Sequence, residues 1–228
     1  MARLLYRTSY QKYYQEESMA RGRPPAHTRD QVVEAAIRVA DTEGLAAVTM
    51  RRIATEIGAG AMSLYTYVPD KDRLLDLMVD RVGDTPLIAM TGDWRADLLA
   101  LASGQRELML AHPWLPAALP NRRLTGRNML AYLEQGLAAL APTGLDGPTK
   151  MELIALVTGF VASYVTNELA TATPTAEQVA LITEAVGTGD FPHLAAALAG
   201  GERGREPSFE RIATWTITGL VEQAIRGS

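Results

Sequence analysis

No cysteine occurs in this chain of 228 residues. Disulfides and thiolate zinc sites are therefore excluded, and a reducing cytoplasm is the simplest setting. Histidine is scarce: His27, His112 and His193 lie far apart. There is no phosphate loop and no Gly-x-Ser-x-Gly, so little is present from which an enzyme mechanism could be built. Long apolar runs are missing too. The longest nearly uncharged stretch, Leu153–Val165, has 13 residues, whereas a bilayer span needs about 20. Residues 1–18 are polar and tyrosine-rich and lack the apolar segment of a secretory signal. No membrane partner, metal or cofactor is expected. No run alternates with period two over a strand's length, which leaves an all-α fold.

What is present is a hydrophobic content of 47% with 21% charged residues, enough apolar surface for a real core. Net charge is −4 but unevenly spread. Residues 1–30 carry six Lys/Arg against three acids, while residues 82–228 carry 10 against 15. A cationic end on an acidic body fits phosphate contact at the N-terminus. Ordinary charge scatter would give the same numbers.

Helical periodicity recurs along the chain. Val33, Ala36, Ile37 and Ala40 make an i, i+3, i+4, i+7 stripe. Thr28 with Gln31 forms a capping box before it and Gly44 stops it, predicting a helix over 29–43. Thr49 caps a second helix with Ile53, Ala54 and Ile57 inward. Gly58-Ala59-Gly60 makes a tight turn, and a third helix runs from Ala61 to Tyr67. Asp70 caps a fourth, carried to about residue 82 by Leu74, Leu75, Met78, Val79 and Val82. Beyond it, Pro/Gly breakers separate helices expected at 93–111, 122–140, 148–170, 175–186, 191–199 and 207–225. Three segments follow: a basic arm over 1–27, a head over 28–82 and a larger body over 83–228.

Two short helices joined by a glycine turn form a helix-turn-helix. The second helix of such a unit lies in the major groove, the groove that distinguishes all four base pairs. Ala61, Met62, Ser63 and Thr66 are small or slender enough to approach base edges. Thr49, Arg51, Tyr65, Tyr67 and Lys71 are placed to touch phosphates. Gly58-Ala59-Gly60 is not a dinucleotide loop, since it follows a helix and lacks a third glycine.

Residues 28–82 resemble the TetR family of transcriptional repressors. The likeness rests on the first-helix stripe, Glu43-Gly44, Val48-Thr49, Ile53-Ala54, the Gly58 turn, Ser63-Leu64-Tyr65, Val68, Lys71 and Leu74-Leu75. It implies an all-helical homodimer whose heads bind a palindromic operator in double-stranded DNA and whose bodies bind a small-molecule effector. On matching positions, Ala61, Met62, Ser63 and Thr66 would face bases, and Leu64 would be buried. Effector binding would shift the fourth helix and change the spacing between the heads. Repressor and activator are both compatible with these residues; a helical small-molecule-binding protein or enzyme without DNA function is the remaining alternative.

Arg21-Gly22-Arg23-Pro24 resembles the core of an AT-hook, in which Arg21 and Arg23 would lie along an A·T-rich minor groove. A basic tail that touches phosphates without sequence preference is the plainer reading. Met19 begins a stretch that would itself open a chain of this family, so residues 1–18 are either an upstream start or an extension that packs on DNA or the partner.

In the body, Ala155, Gly159 and Ser163 recur every four residues on the apolar helix. The resemblance places this helix and the last one, with Trp215 and Gly219, in a dimer interface. Trp94, Arg106, Met109, Trp114, Asn128, Met129, Tyr132, Phe160, Tyr164 and Asn167 are candidate pocket residues for a largely apolar, aromatic effector. For each apolar member, core packing is the alternative role. Tetracycline is not expected: its repressors use histidine and a carboxylate around a magnesium–drug complex, and His112 has no evident partner in sequence.

Overall fold

The computed structural model describes residues 27–119, 126–170, 175–199 and 208–227. Arg21 and Arg23, residues 1–18 and the expected start of the 122–140 helix lie outside them. Among the described residues there are eleven α-helices and no strand. They are α1 (Arg29–Glu43), α2 (Met50–Glu56), α3 (Ala61–Leu64), α4 (Lys71–Val82), α5 (Trp94–Ala111), α6 (Leu115–Ala118), α7 (Arg127–Ala139), α8 (Gly147–Leu169), α9 (Ala176–Gly187), α10 (Pro192–Ala199) and α11 (Phe209–Gly227). The short α6 and the single turns Leu45–Ala47 and Ala141–Thr143 add to the expected set.

Local chemistry explains the boundaries of the head. Thr28 and Gln31 cap each other's backbone at the start of α1. The Thr49 hydroxyl accepts the Arg52 amide at 3.1 Å, and the Asp70 carboxylate accepts that of Arg73 at 2.7 Å. Gly44 and Gly58 hold φ of +83° and +68°, a region that favours glycine. Gly60 has an ordinary φ of −77°, so only the first glycine of the turn is conformationally required. α3 is shorter than expected. Its α-helix ends at Leu64, and tighter i→i+3 bonds from Thr66 and Tyr67 carry the chain on to Val68. Pro69 disfavours helical backbone at Val68 and ends the turn there.

Val32, Ala36, Val39, Ile53, Leu64, Val68, Leu74 and Met78 are buried together as the core of the head. In the body, α5 packs on α8 and α11, and α7 packs on α8 and α5. α8 buries Leu153, Ile154, Val157, Val161 and Val165 along one face, and α11 buries Phe209, Ala213, Ile217 and Val221.

One buried carboxylate anchors the entry to the body. Asp97 is 2% exposed and accepts three hydrogen bonds, from the Thr91 amide and hydroxyl and from the Gly92 amide. Burial pushes its pKa up, but the three bonds outweigh it and hold the carboxyl below its ordinary 3.8. A folded value below the unfolded one means the contribution is present above pH 3.8 and is lost as pH falls through the folded value. Asp97→Ala orphans three donors and should cost roughly 2–4 kcal/mol at neutral pH. Thermal melts of both forms should converge as pH drops below that range; a gap that stays constant would refute this account.

Candidate nucleic-acid interface and body cluster

α3 projects its polar and slender side chains to solvent. Met62 is 81% exposed, Ser63 and Thr66 are exposed, and Ala61 is half-buried. Leu64 is fully buried, anchoring the helix from below. The Ser63 hydroxyl donates to the Gly60 carbonyl at 2.6 Å, so toward a base edge it presents lone pairs. Thr49, Arg51, Tyr65 and Lys71 are exposed around α3, and Tyr67 is half-buried.

The two adjacent arginines at the start of α2 differ in role. Arg52 bonds Glu43 at 2.6 Å and Glu56 at 2.9 Å, tying α2 to the end of α1. The Arg52 hydrogen bond lowers the Glu43 pKa, and Glu43 in turn raises that of Arg52. Arg51 has no ion pair among the described residues and faces solvent, which leaves it available to a phosphate.

The body brings two groups of candidate pocket residues together. The Tyr132 hydroxyl lies 3.2 Å from the Gln105 side-chain oxygen and 2.9 Å from the Thr158 hydroxyl. Burial raises its pKa, partly offset by those bonds, so the phenol stays protonated. Alongside, Phe160, Tyr164 and Phe209 form an aromatic cluster, with Tyr164 edge-on to Phe209 at 5.1 Å between ring centroids. Arg106 lies over Phe209 at 5.3 Å and is paired with Glu168, which raises the arginine pKa further. Met109 on α5 is fully buried and Met129 on α7 is half-buried.

Other candidates make contacts outside these two groups. The Trp94 ring packs under the Arg95 guanidinium at 4.1 Å, and Arg95 pairs with Glu222 of α11. The Trp114 indole donates to Asp41 of α1 at 2.6 Å, joining head to body. His112 has the partner not evident in sequence: its Nδ1 lies 2.8 Å from the same Asp41 oxygen. Asn128 is bonded to Asp80 of α4. Asn167 is exposed on α8. Sequence reasoning missed Gln105, Thr158, Glu168 and Phe209. For Glu168, the four-residue spacing from Tyr164 was the one available signal. A small recess of about 160 Å³ between α1, α4 and α7 is below the ~300–1,000 Å³ of drug-sized sites.

Among the described residues, the outer faces of α8 and α11 are uncovered. Ala155, Gly159, Ser163 and Gly219 are exposed, as are Leu156 at 54% and Trp215 at 67%. A Cβ added at Gly159 or Gly219 would meet no atom of the described residues within 4 Å. At Gly136 one would come 2.8 Å from Ile154, so that glycine serves the protomer's own α7–α8 packing.

A solvent-facing helix-turn-helix set on a helical body with an aromatic and polar interior defines a DNA-binding regulator rather than a catalyst. The chain belongs to the TetR family: the profile for bacterial regulatory proteins of the tetR family matches residues 32–78, and the tetracyclin repressor-like C-terminal domain matches residues 86–223. It is 41% identical over 153 residues to the HTH-type transcriptional repressor DrrR1 of Streptomyces coeruleorubidus, covering 66% of this chain and 57% of that relative. That match therefore spans little more than half the relative's length. An HTH-type transcriptional regulator of Saccharopolyspora erythraea is 31% identical over 222 residues, covering 93% of this chain and 92% of its own. Among solved structures, apo ActR from Streptomyces coelicolor aligns with a TM-score of 0.75 at 27% identity, covering 91% of this chain and all of ActR. The same protein in complex with actinorhodin aligns with a TM-score of 0.71 at 28% identity, covering 87% and 98%. No helix among the described residues is long and apolar enough to cross a membrane.

Proposed function

We propose that this protein is a homodimeric repressor that holds a palindromic operator with paired heads over 28–82 and releases it when a largely apolar, aromatic molecule enters the body over 83–228. The observation that carries the reading is the outward display of Met62 and Ser63 on α3 and of Thr66 in the turn after it, flanked by Arg51 and Lys71 and pinned by buried Leu64. Ala61, Met62, Ser63 and Thr66 face base edges; Thr49, Arg51, Tyr65, Tyr67 and Lys71 grip phosphates. Arg21 and Arg23 reach the adjoining minor groove. The compartment is the bacterial cytoplasm, where the DNA is.

Repression follows DrrR1, and effector response follows ActR, which has been captured with actinorhodin. Here the effector lies against Phe160, Tyr164 and Phe209, with Tyr132, Gln105 and Arg106 as polar anchors. A second copy covers the α8 and α11 faces, where Gly159 and Gly219 are not needed by the protomer's own packing.

Selection from random oligonucleotides should enrich an inverted repeat. Lys71→Ala should then weaken binding to all sequences, with a salt slope shallower by about 1 per head. Thr66→Ala should relax one or two base pairs of the half-site at about 1–3 kcal/mol of discrimination. Equal losses on operator and random DNA from both variants would overturn the assignment of α3. A ligand-bound protein that keeps its full operator affinity would overturn release.

A further inference from the structure

α4 and α7 meet end to end, and each completes the other. The first turn of a helix leaves backbone N–H groups without partners, usually satisfied by the side chain at its own cap. The cap of α7 is Gly126, which has no side chain to offer. Instead Asp80, 48 residues from Asn128 in sequence and in the last turn of α4, supplies the cap. Its Oδ1 accepts the Asn128 amide at 2.8 Å and the Met129 amide at 3.2 Å. Its negative charge sits at the positive end of the α7 dipole. The exchange is reciprocal. The Asp80 carbonyl, at the C-terminal end of α4, accepts the Asn128 side-chain amide at 2.8 Å.

Gly126 is part of the joint. A Cβ there would overlap the Asp80 carboxylate and come within 2.6 Å of the Asp80 Cβ. Only a hydrogen lets the aspartate reach the α7 amides. One turn further along α7, Tyr132 joins α5 and α8 through Gln105 and Thr158. Gln135, also on α7, accepts the Ile88 amide at 2.6 Å in the segment that links α4 to α5. The same short helix thus holds the end of α4 and the polar cluster of the body. On the α4 side, Arg81 pairs with Glu34 of α1 at 2.7 Å.

We propose that Asp80 and Gly126 form the positioning joint that fixes the orientation of each head on its body, and so determine the half-site spacing the dimer accepts. The inference rests on the two-headed reading above. Asp80 touches no DNA; it acts through α4. One inserted base pair shifts a half-site by about 3.4 Å and turns it by about 35°, which a rigidly held pair of heads cannot follow. A loosened pair can.

The test uses the full-length chain and the selected inverted repeat in a series with one or two base pairs added to or removed from the spacer. A single half-site serves as control. Wild type should lose roughly tenfold or more in affinity per base pair of spacer change, and Asp80→Ala and Gly126→Ala should lose about twofold or less, with half-site affinity unchanged in all. Asp80→Asn should retain the wild-type profile, because its side-chain oxygen can accept the same two amides. In parallel, exchange of the Asn128 and Met129 amides should be slow in wild type and Asp80→Asn and at least about tenfold faster in Asp80→Ala. A spacer profile in Asp80→Ala as sharp as wild type, a failed rescue by Asp80→Asn, or unchanged amide protection would each overturn the joint. Failure of wild type to enrich any inverted repeat would instead overturn the two-headed reading, and the amide exchange would still decide the joint.

Discussion

Leu64→Ala should abolish operator recognition while leaving effector binding by the body in place. Leu64 is the one buried side chain of α3 and is fully buried. Truncating a buried leucine to alanine costs about 2–5 kcal/mol, through lost transfer energy and the cavity left behind. α3 has four residues and cannot hold itself helical alone, because helix nucleation is unfavourable. The loss therefore falls on the placement of Met62, Ser63 and Thr66. If it appears wholly as the cost of ordering α3 on DNA, even 2 kcal/mol weakens binding by about 30-fold. Met62→Ala is the contrast: at 81% exposure it should change stability by less than about 0.5 kcal/mol. Gel shifts on the selected operator, with thermal melts of both variants, check the pair. Operator affinity within twofold of wild type for Leu64→Ala would show that α3 does not depend on this anchor.

Gly159→Glu should yield a folded monomer with single-headed DNA binding. A side chain at 159 meets open space within the protomer, so the chain's own fold tolerates it. Against a second copy the same carboxylate would be buried without a partner, at about 3–5 kcal/mol for an uncompensated buried charge. A two-fold interface takes the substitution twice, which multiplies the dissociation constant by several orders of magnitude. Sedimentation should show one monomeric species, and affinity for the paired site should fall to that for a single half-site. Gly136→Ala separates this from general damage. Its added methyl meets Ile154 inside the protomer, so it should lower the melting temperature whatever the oligomeric state. A Gly159→Glu protein that sediments as a dimer would remove the α8 face from the interface.

These predictions depend on features of different legibility. The caps at Thr28, Thr49 and Asp70, the Gly44 and Gly58 turns and the α1 stripe can be read within a few residues of chain, and the structure keeps each. α3 could be located but not measured, since its length depends on how Pro69 competes with the helix that begins at Ala61. Arg51 and Arg52 are neighbours of identical chemistry; which one is free depends on where α1 leaves Glu43. In the body, aromatic and methionine residues are poor guides to a pocket because core packing asks for the same residues. Trp94 and Trp114 illustrate it: the first packs under Arg95, which pairs with Glu222 of α11, and the second reaches Asp41 in the head.

Helix periodicity, capping and chain breaks act over one to four residues, so the all-α class, the order of the main helices and the position of the helix-turn-helix were determined by the sequence alone. Contacts between helices depend on how separate cylinders pack, and no local rule states which faces meet. Only the tertiary structure decided that Asp80 would cap α7, that Tyr132 would meet Gln105 and Thr158, and that Asn128 would bond Asp80 of α4.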